Sequence, residues 1–176
     1  MNHPHYTIDR LEPESSLGFL VKRCGVLMTR IAERRFAAEP ISFTQWIVLA
    51  NLTRFEHVSA TTLSEETGYD MGALTRIVDG LEKDDLVRRE RCKHDRRAVE
   101  ITITPEGRRR LHGGKRVLVD LLNELAAPYT GRELETLIGL LQRMLRRLQE
   151  SEAQSPAPVV SKAPQPGAAH RSGGAK

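Results

Sequence analysis

Two neighbouring stretches hold the residues whose types and spacing could do chemistry. The first is Met71-Gly72-Ala73-Leu74-Thr75-Arg76-Ile77-Val78-Asp79-Gly80-Leu81-Glu82-Lys83. Leu74, Ile77, Val78 and Leu81 fall at i, i+3, i+4 and i+7, the stripe of a helix that buries one side. The other side carries Gly72, Thr75, Arg76 and Asp79, which are small or able to hydrogen-bond base edges and phosphates. The second stretch runs from Arg88 to Arg97. It places Arg88, Arg89, Arg91, Lys93, Arg96 and Arg97 against only Glu90 and Asp95, a local excess of four positive charges. The formal net charge of all 176 residues is also +4, so the basic character is concentrated here and points to an acidic partner.

Each residue has a functional and a plain reading. Arg76 and Thr75 could meet a base edge or a phosphate, or form a solvated surface pair. Gly72 and Ala73 could let the helix approach a groove closely, or only be tolerated near a helix start. Met71 could touch a thymine methyl or pack inward. Arg88, Arg89, Arg91, Lys93 and Arg96 would supply salt-dependent phosphate affinity without sequence information. Arg97 would gain from the negative potential of a minor groove, with Asp95 holding its rotamer; the plain reading is a loose basic loop.

These residues need elements to position them. Residues 1–12 show no clear period and read as a flexible arm or part of a dimer embrace. From Pro13 to Phe36, Leu17, Leu20, Val21, Cys24, Leu27, Met28 and Ile31 mark an amphipathic helix ended by Pro40. Ser42 and Gln45 form a capping box for a second helix carrying Trp46. A third, short helix is expected from Thr62, boxed by Glu65, to Gly68. Asp70 stands where the helix from Met71 needs its cap. Leu86 to Arg91 and Ala98 to Ile103 read as strands, the second with Val99, Ile101 and Ile103 facing the helices; the tip between them is Cys92 to Arg97. Thr104-Pro105-Glu106 opens a helix that Pro128 stops, and Thr130 with Glu133 boxes the last one. Beyond Ser151 the chain turns to Pro, Ala, Gly and Ser, the composition of a disordered tail.

The fold class is therefore mainly α with a small β-hairpin wing, a winged helix-turn-helix of the kind that enters a DNA major groove. The domains read as residues 1–12 arm, 13–40 and 105–150 dimerisation helices, 41–104 winged helix-turn-helix, and 151–176 tail. Leu17, Leu20, Leu134, Leu137, Ile138, Leu141 and Leu145 are the expected dimer contacts; the stripe from Leu134 to Leu148 could instead be internal core, but these helices are too long to pack only on a compact winged domain. Two-fold symmetry would then require a palindromic DNA site. Two cysteines are too few for a disulfide framework. No apolar run has transmembrane length and no signal peptide is legible, so a cytoplasmic location without membrane partners is expected. Neither a phosphate loop, a zinc-ligand pattern nor a nucleophile–base set is present, so no enzyme, metal or cofactor is expected.

The chain resembles the multiple antibiotic resistance regulator (MarR) family of bacterial transcription factors. The likeness runs through Ser42-Phe43-Thr44-Gln45-Trp46-Ile47-Val48-Leu49, Leu74 to Lys83, Asp95-Arg96-Arg97-Ala98 and Ile103-Thr104-Pro105-Glu106-Gly107. It implies a homodimer with interleaved first and last helices, acting on a palindromic operator in double-stranded DNA and usually released by a small molecule. It also implies that Arg97, preceded by Asp95, enters the minor groove. One departure is Asp85, where the family usually has glycine; aspartate tolerates the left-handed conformation better than most residues.

The family likeness puts an effector pocket between dimerisation helices and winged domain, where Arg23, Trp46 and His57 could bind a flat aromatic acid. A tryptophan at a helix start is more often core, and the plain reading of Arg23 is a solvated charge. Cys24 lies on an apolar stripe as a small hydrophobe, and Gly18 stands where the family's organic-hydroperoxide sensors carry their cysteine. Cys92 between Arg91 and Lys93 has the setting of a reactive thiolate. The alternatives to a ligand-released repressor are thus a thiol-responsive regulator acting through Cys92, or a winged-helix scaffold without specific DNA binding.

Overall fold

The computed structural model describes residues 5–55, 58–91 and 99–154. It divides into two units, Met1–Ala127 and Pro128–Lys176. His57, Cys92, Lys93, Asp95, Arg96, Arg97 and residues 155–176 lie outside the described residues.

In the first unit, single-turn 3-10 helices at Ile8–Arg10 and Pro13–Ser15 precede α1 (Leu17–Phe36). The expected start at Pro13 is therefore corrected to Leu17. Ser16 is the cap, its hydroxyl accepting from the Phe19 amide at 3.4 Å. The Leu17 amide donates to the Tyr6 hydroxyl at 3.0 Å, which ties the N-terminal segment to the head of α1. α2 (Phe43–Leu52) opens with the Ser42–Gln45 capping box expected from sequence.

A third strand, β1 (Val58–Ser59), pairs with β3 (Val99–Ile103) through Val58↔Ile101 and Ser59↔Glu100. Its two residues are too short for any period to mark them. The strand also moves the start of α3 (Ala60–Thr67) two residues ahead of Thr62. Ser59 caps this helix, accepting from the Thr62 amide at 3.1 Å, and Gly68 closes it with φ +72°. α4 (Met71–Lys83) follows, with the Asp70 carboxylate accepting from the Ala73 amide at 2.9 Å. Asp85 then takes the left-handed turn with φ +54°.

β2 (Val87–Arg91) and β3 (Val99–Ile103) form the antiparallel hairpin, giving a sheet ordered β1-β3-β2. Ile101 is buried, whereas Val99 is 47% exposed. The inward expectation fails at Val99 because it pairs with Arg91 at the outer end of the hairpin. α5 (Pro105–Ala126) is capped by Thr104, whose hydroxyl accepts from the Gly107 amide at 3.0 Å and donates to the Asp85 carbonyl at 2.7 Å.

The core joins Val48, Leu49 and Leu52 of α2, Leu63 of α3, Leu74, Val78 and Leu81 of α4, Val87 and Ile101 of the sheet, and Leu111 of α5. Full burial of each such side chain contributes about 1.5–3 kcal/mol. In the second unit, α6 (Gly131–Gln154) starts at the reciprocal Thr130–Glu133 box and buries no residue. Ser151 to Gln154 are its last turn, so the tail cannot begin at 151.

Candidate nucleic-acid interface

α4 sits on the core by Leu74, Val78 and Leu81, and that burial decides which side chains face outward. Met71, Gly72, Thr75, Arg76 and Asp79 are exposed, as the helical period requires. Thr75 donates its hydroxyl proton to the Met71 carbonyl at 2.7 Å, leaving lone pairs to accept from a base or a bridging water. Among the described residues no ion pair engages Arg76. Ala73 is half-buried and borders a shallow groove with Ser42, Gln45, Arg76, Ile77 and Gly80. A Cβ on Gly72 would stand 3.2 Å from the Asp70 carboxylate, so the small residue leaves the cap undisturbed. Asp70 itself is spent on capping.

The hairpin is less uniformly cationic than its composition. Arg88 is exposed, 3.7 Å from Asp85. Arg91 is exposed at the end of β2. Arg89 points inward instead. Its Nη2 donates to Asp79 at 2.6 Å, its Nη1 to Glu82, and its backbone amide to Glu82 at 3.2 Å. Partial burial works to lower the Arg89 pKa, but the bonds to the two carboxylates outweigh it and hold the group above its ordinary value. Arg89 is thus not a free phosphate contact, and Asp79 is not a free acceptor on α4. The signal was legible: Val87 and Arg89 are two apart in a strand, so both lie on the face that packs on the helices.

A profile of the MarR family matches residues 40–98, which span α2 to the wing. The fold superposes on wild-type MarR from E. coli, without ligand, with a TM-score of 0.67 and 27% identity, covering 74% of this chain and 97% of that one. The chain is therefore similar to the MarR family in sequence over residues 40–98 and in fold over about three quarters of its length. A MarR variant from E. coli crystallised with operator DNA matches with a TM-score of 0.65 and 27% identity over 73% of this chain and 93% of that one. BpsR from Bordetella bronchiseptica, whose DNA binding is regulated by 6-hydroxynicotinic acid, shares the fold with a TM-score of 0.67 at 19% identity, covering 76% and 96%.

Of the three expected effector residues, Arg23 and Trp46 lie among the described residues. Trp46 is a packing residue: its indole N–H donates to the Leu111 carbonyl at 3.0 Å, and its ring stacks on Phe43 at 6.3 Å and meets Phe36 edge-on at 6.2 Å. Arg23 is exposed on α1, and His57 is outside the described residues. Two open concavities border α4 instead: the groove beside Arg76, and a cleft lined by Ala60, Leu74, Thr75, Val78, Arg89, Val99 and Ile101. Cys24, expected in an apolar setting, is an exposed free thiol in the single chain.

The expected dimer residues stay uncovered. Leu17 and Leu20 on α1 are 50% and 48% exposed. On α6, Leu134 is half-buried, while Leu137, Ile138, Leu141 and Leu145 are all exposed. One connection was not legible. The Glu33 carboxylate, late in α1, accepts from the amide of Thr44 at 3.0 Å and from its hydroxyl, and Thr44 also hydrogen-bonds Tyr69, next to the Asp70 cap of α4. Among the described residues no helix is long and apolar enough to cross a membrane, and no group of His, Cys, Asp and Glu could hold a metal.

Proposed function

We propose that this chain is a homodimeric, sequence-specific DNA-binding transcriptional regulator, most simply a repressor at a palindromic operator that a small ligand releases. The observation that carries the reading is the outer face of α4. Asp70 fixes the start of the helix, the core holds its other side, and Met71, Gly72, Thr75 and Arg76, which no described residue pairs, are left facing out. A helix held in this way can present its N-terminal half to a major groove, with Arg76 bidentate to guanine or on a phosphate. Asp95, Arg96 and Arg97, with Arg91 and Lys93, are assigned to the adjacent groove and backbone. The operator-bound MarR from E. coli supports the same use of the fold.

Dimerisation rests on the uncovered apolar residues of α1 and α6. An exposed apolar stripe on a helix marks a protein–protein contact, and a two-fold dimer presents two recognition helices to half-sites about one helical turn apart. A ligand seated in either concavity beside α4 would alter the face that meets DNA.

A gel shift of the protein against the DNA upstream of its own gene, with a scrambled duplex as competitor, tests the reading. Specific retention is expected, and Arg76→Ala and Arg97→Ala should each cost about 1–3 kcal/mol of operator affinity. A panel of flat aromatic acids in the same assay tests release. Equal retention of operator and scrambled DNA, unchanged by either substitution, would replace the regulator with a protein-binding scaffold.

A further inference from the structure

We propose that Arg89 is a positioning residue of the DNA-binding surface, which ties the wing hairpin to the recognition helix through Asp79 and Glu82 and makes no phosphate contact itself. The proposal rests on the DNA-binding reading above. Three bonds hold the clamp: guanidinium to Asp79 at 2.6 Å, guanidinium to Glu82, and the Arg89 amide to Glu82 at 3.2 Å. A side chain and its own backbone are both engaged, so the strand is fixed in height as well as direction. Arg89 pairs across the sheet with Ile101, which is 2% exposed, so its side chain leaves the sheet on the same face as a core residue.

The two acids need such a partner. Asp79 and Glu82 lie in the C-terminal half of α4, where the helix dipole disfavours negative charge. Exposed beside a DNA-facing helix, they would also repel phosphates. The planar fork of arginine can satisfy both at once, which the point charge of lysine cannot. Arg88 is directed to Asp85 and Arg91 is at the strand end, so neither replaces it. Arg89 lies two residues before the end of β2, so the direction in which the strand leaves α4 depends on this contact.

The test compares wild type, Arg89→Lys and the double variant Asp79→Asn/Glu82→Gln, each first checked for native helicity and melting temperature. Operator and scrambled-duplex affinities are measured across a salt series, and amide hydrogen exchange is followed in Val87–Arg91 and Val99–Ile103. The clamp predicts that Arg89→Lys, which keeps the charge, lowers operator-over-scrambled preference about ten-fold, the size of an ordinary coupling between contacting side chains. It also predicts that the double variant loses preference although it removes two negative charges, and that hairpin amides exchange faster in both. A simple phosphate contact predicts the reverse: Arg89→Lys binds like wild type, and the double variant binds DNA more tightly. Either result overturns the clamp. If wild type shows no operator preference, the regulator reading fails, and the exchange data still decide: unchanged hairpin exchange in both variants refutes the clamp.

Discussion

Gly114 meets the indole of Trp46: a Cβ built on the glycine would stand 2.5 Å from Cδ1 of the tryptophan and 2.8 Å from the Phe36 ring. The bare backbone of α5 therefore forms the floor on which the Phe36, Phe43 and Trp46 cluster rests, and the Leu111 carbonyl one turn earlier receives the indole N–H. Gly114→Ala must push the ring or the helix aside. It should destabilise the protein by about 1–3 kcal/mol, the usual cost of overpacking. Urea unfolding measures this, and an unchanged midpoint would show that the helix yields freely.

Asp70 joins stability to function at the start of α4. Asp70→Ala removes the cap on the Ala73 amide and should cost about 1 kcal/mol, with weaker operator binding because the first turn frays. Asp70→Ser should recover most of both. If alanine leaves operator affinity untouched, the ordering of this turn does not matter for DNA.

Asp85 occupies a left-handed turn at φ +54°, where glycine carries no steric penalty. Asp85→Gly should stabilise the fold by roughly 0.5 kcal/mol, because the strain relieved exceeds the entropy added to the unfolded chain. The Thr104 bond goes to the backbone carbonyl and is retained, and the exposed Arg88 partner contributes little. A lower thermal midpoint would contradict this balance.

Tyr69 makes stability depend on alkaline pH. Its burial raises the phenol pKa, the Thr44 hydrogen bond opposes that, and the Glu33 charge reinforces it, for a net rise. The folded state therefore holds the proton more tightly than the unfolded one. The stability this contributes is complete below the unfolded value of about 10 and is lost as pH rises through the folded value. Wild type should accordingly lose stability relative to Tyr69→Phe in that window. Parallel curves for the two proteins would remove Tyr69 from the account.

Leu141 is central to the uncovered stripe of α6 and is 41% exposed. Leu141→Glu places a charge on the proposed dimer contact while leaving the core of the first unit untouched. Sedimentation should report a shift from dimer to monomer at micromolar concentration. A dimer that persists would locate the contact elsewhere.

Local chemistry made much of the fold legible. The Ser42–Gln45 and Thr130–Glu133 boxes, the Asp70 cap, the Gly68 stop and the Thr104-Pro105 start all occur where spacing alone placed them. Each is a bond or a steric rule that acts within about four residues. The outward face of α4 was legible for a related reason, since a 3.6-residue period identifies one side once the other is apolar. Failures began where a second element was needed. β1 exists because β3 offers an open edge, and Ser59 displaced Thr62 as a cap only because Val58 is held in that sheet.

The sequence by itself determined the order of the main helices and the hairpin, most of their caps and which side of α4 is free. Only the tertiary structure decided how the charged and aromatic side chains are used. Composition counts Arg89 with the other hairpin cations, and its period could show that it turns inward, but not that Asp79 and Glu82 wait there. Trp46 likewise has the chemistry of a ligand wall until Leu111 and Gly114, some 65 residues further on, claim its N–H and its edge. A cap is chosen by neighbours along the chain, whereas a fork or an indole is satisfied by whatever the packing brings within about 3 Å, and that is set by the whole fold.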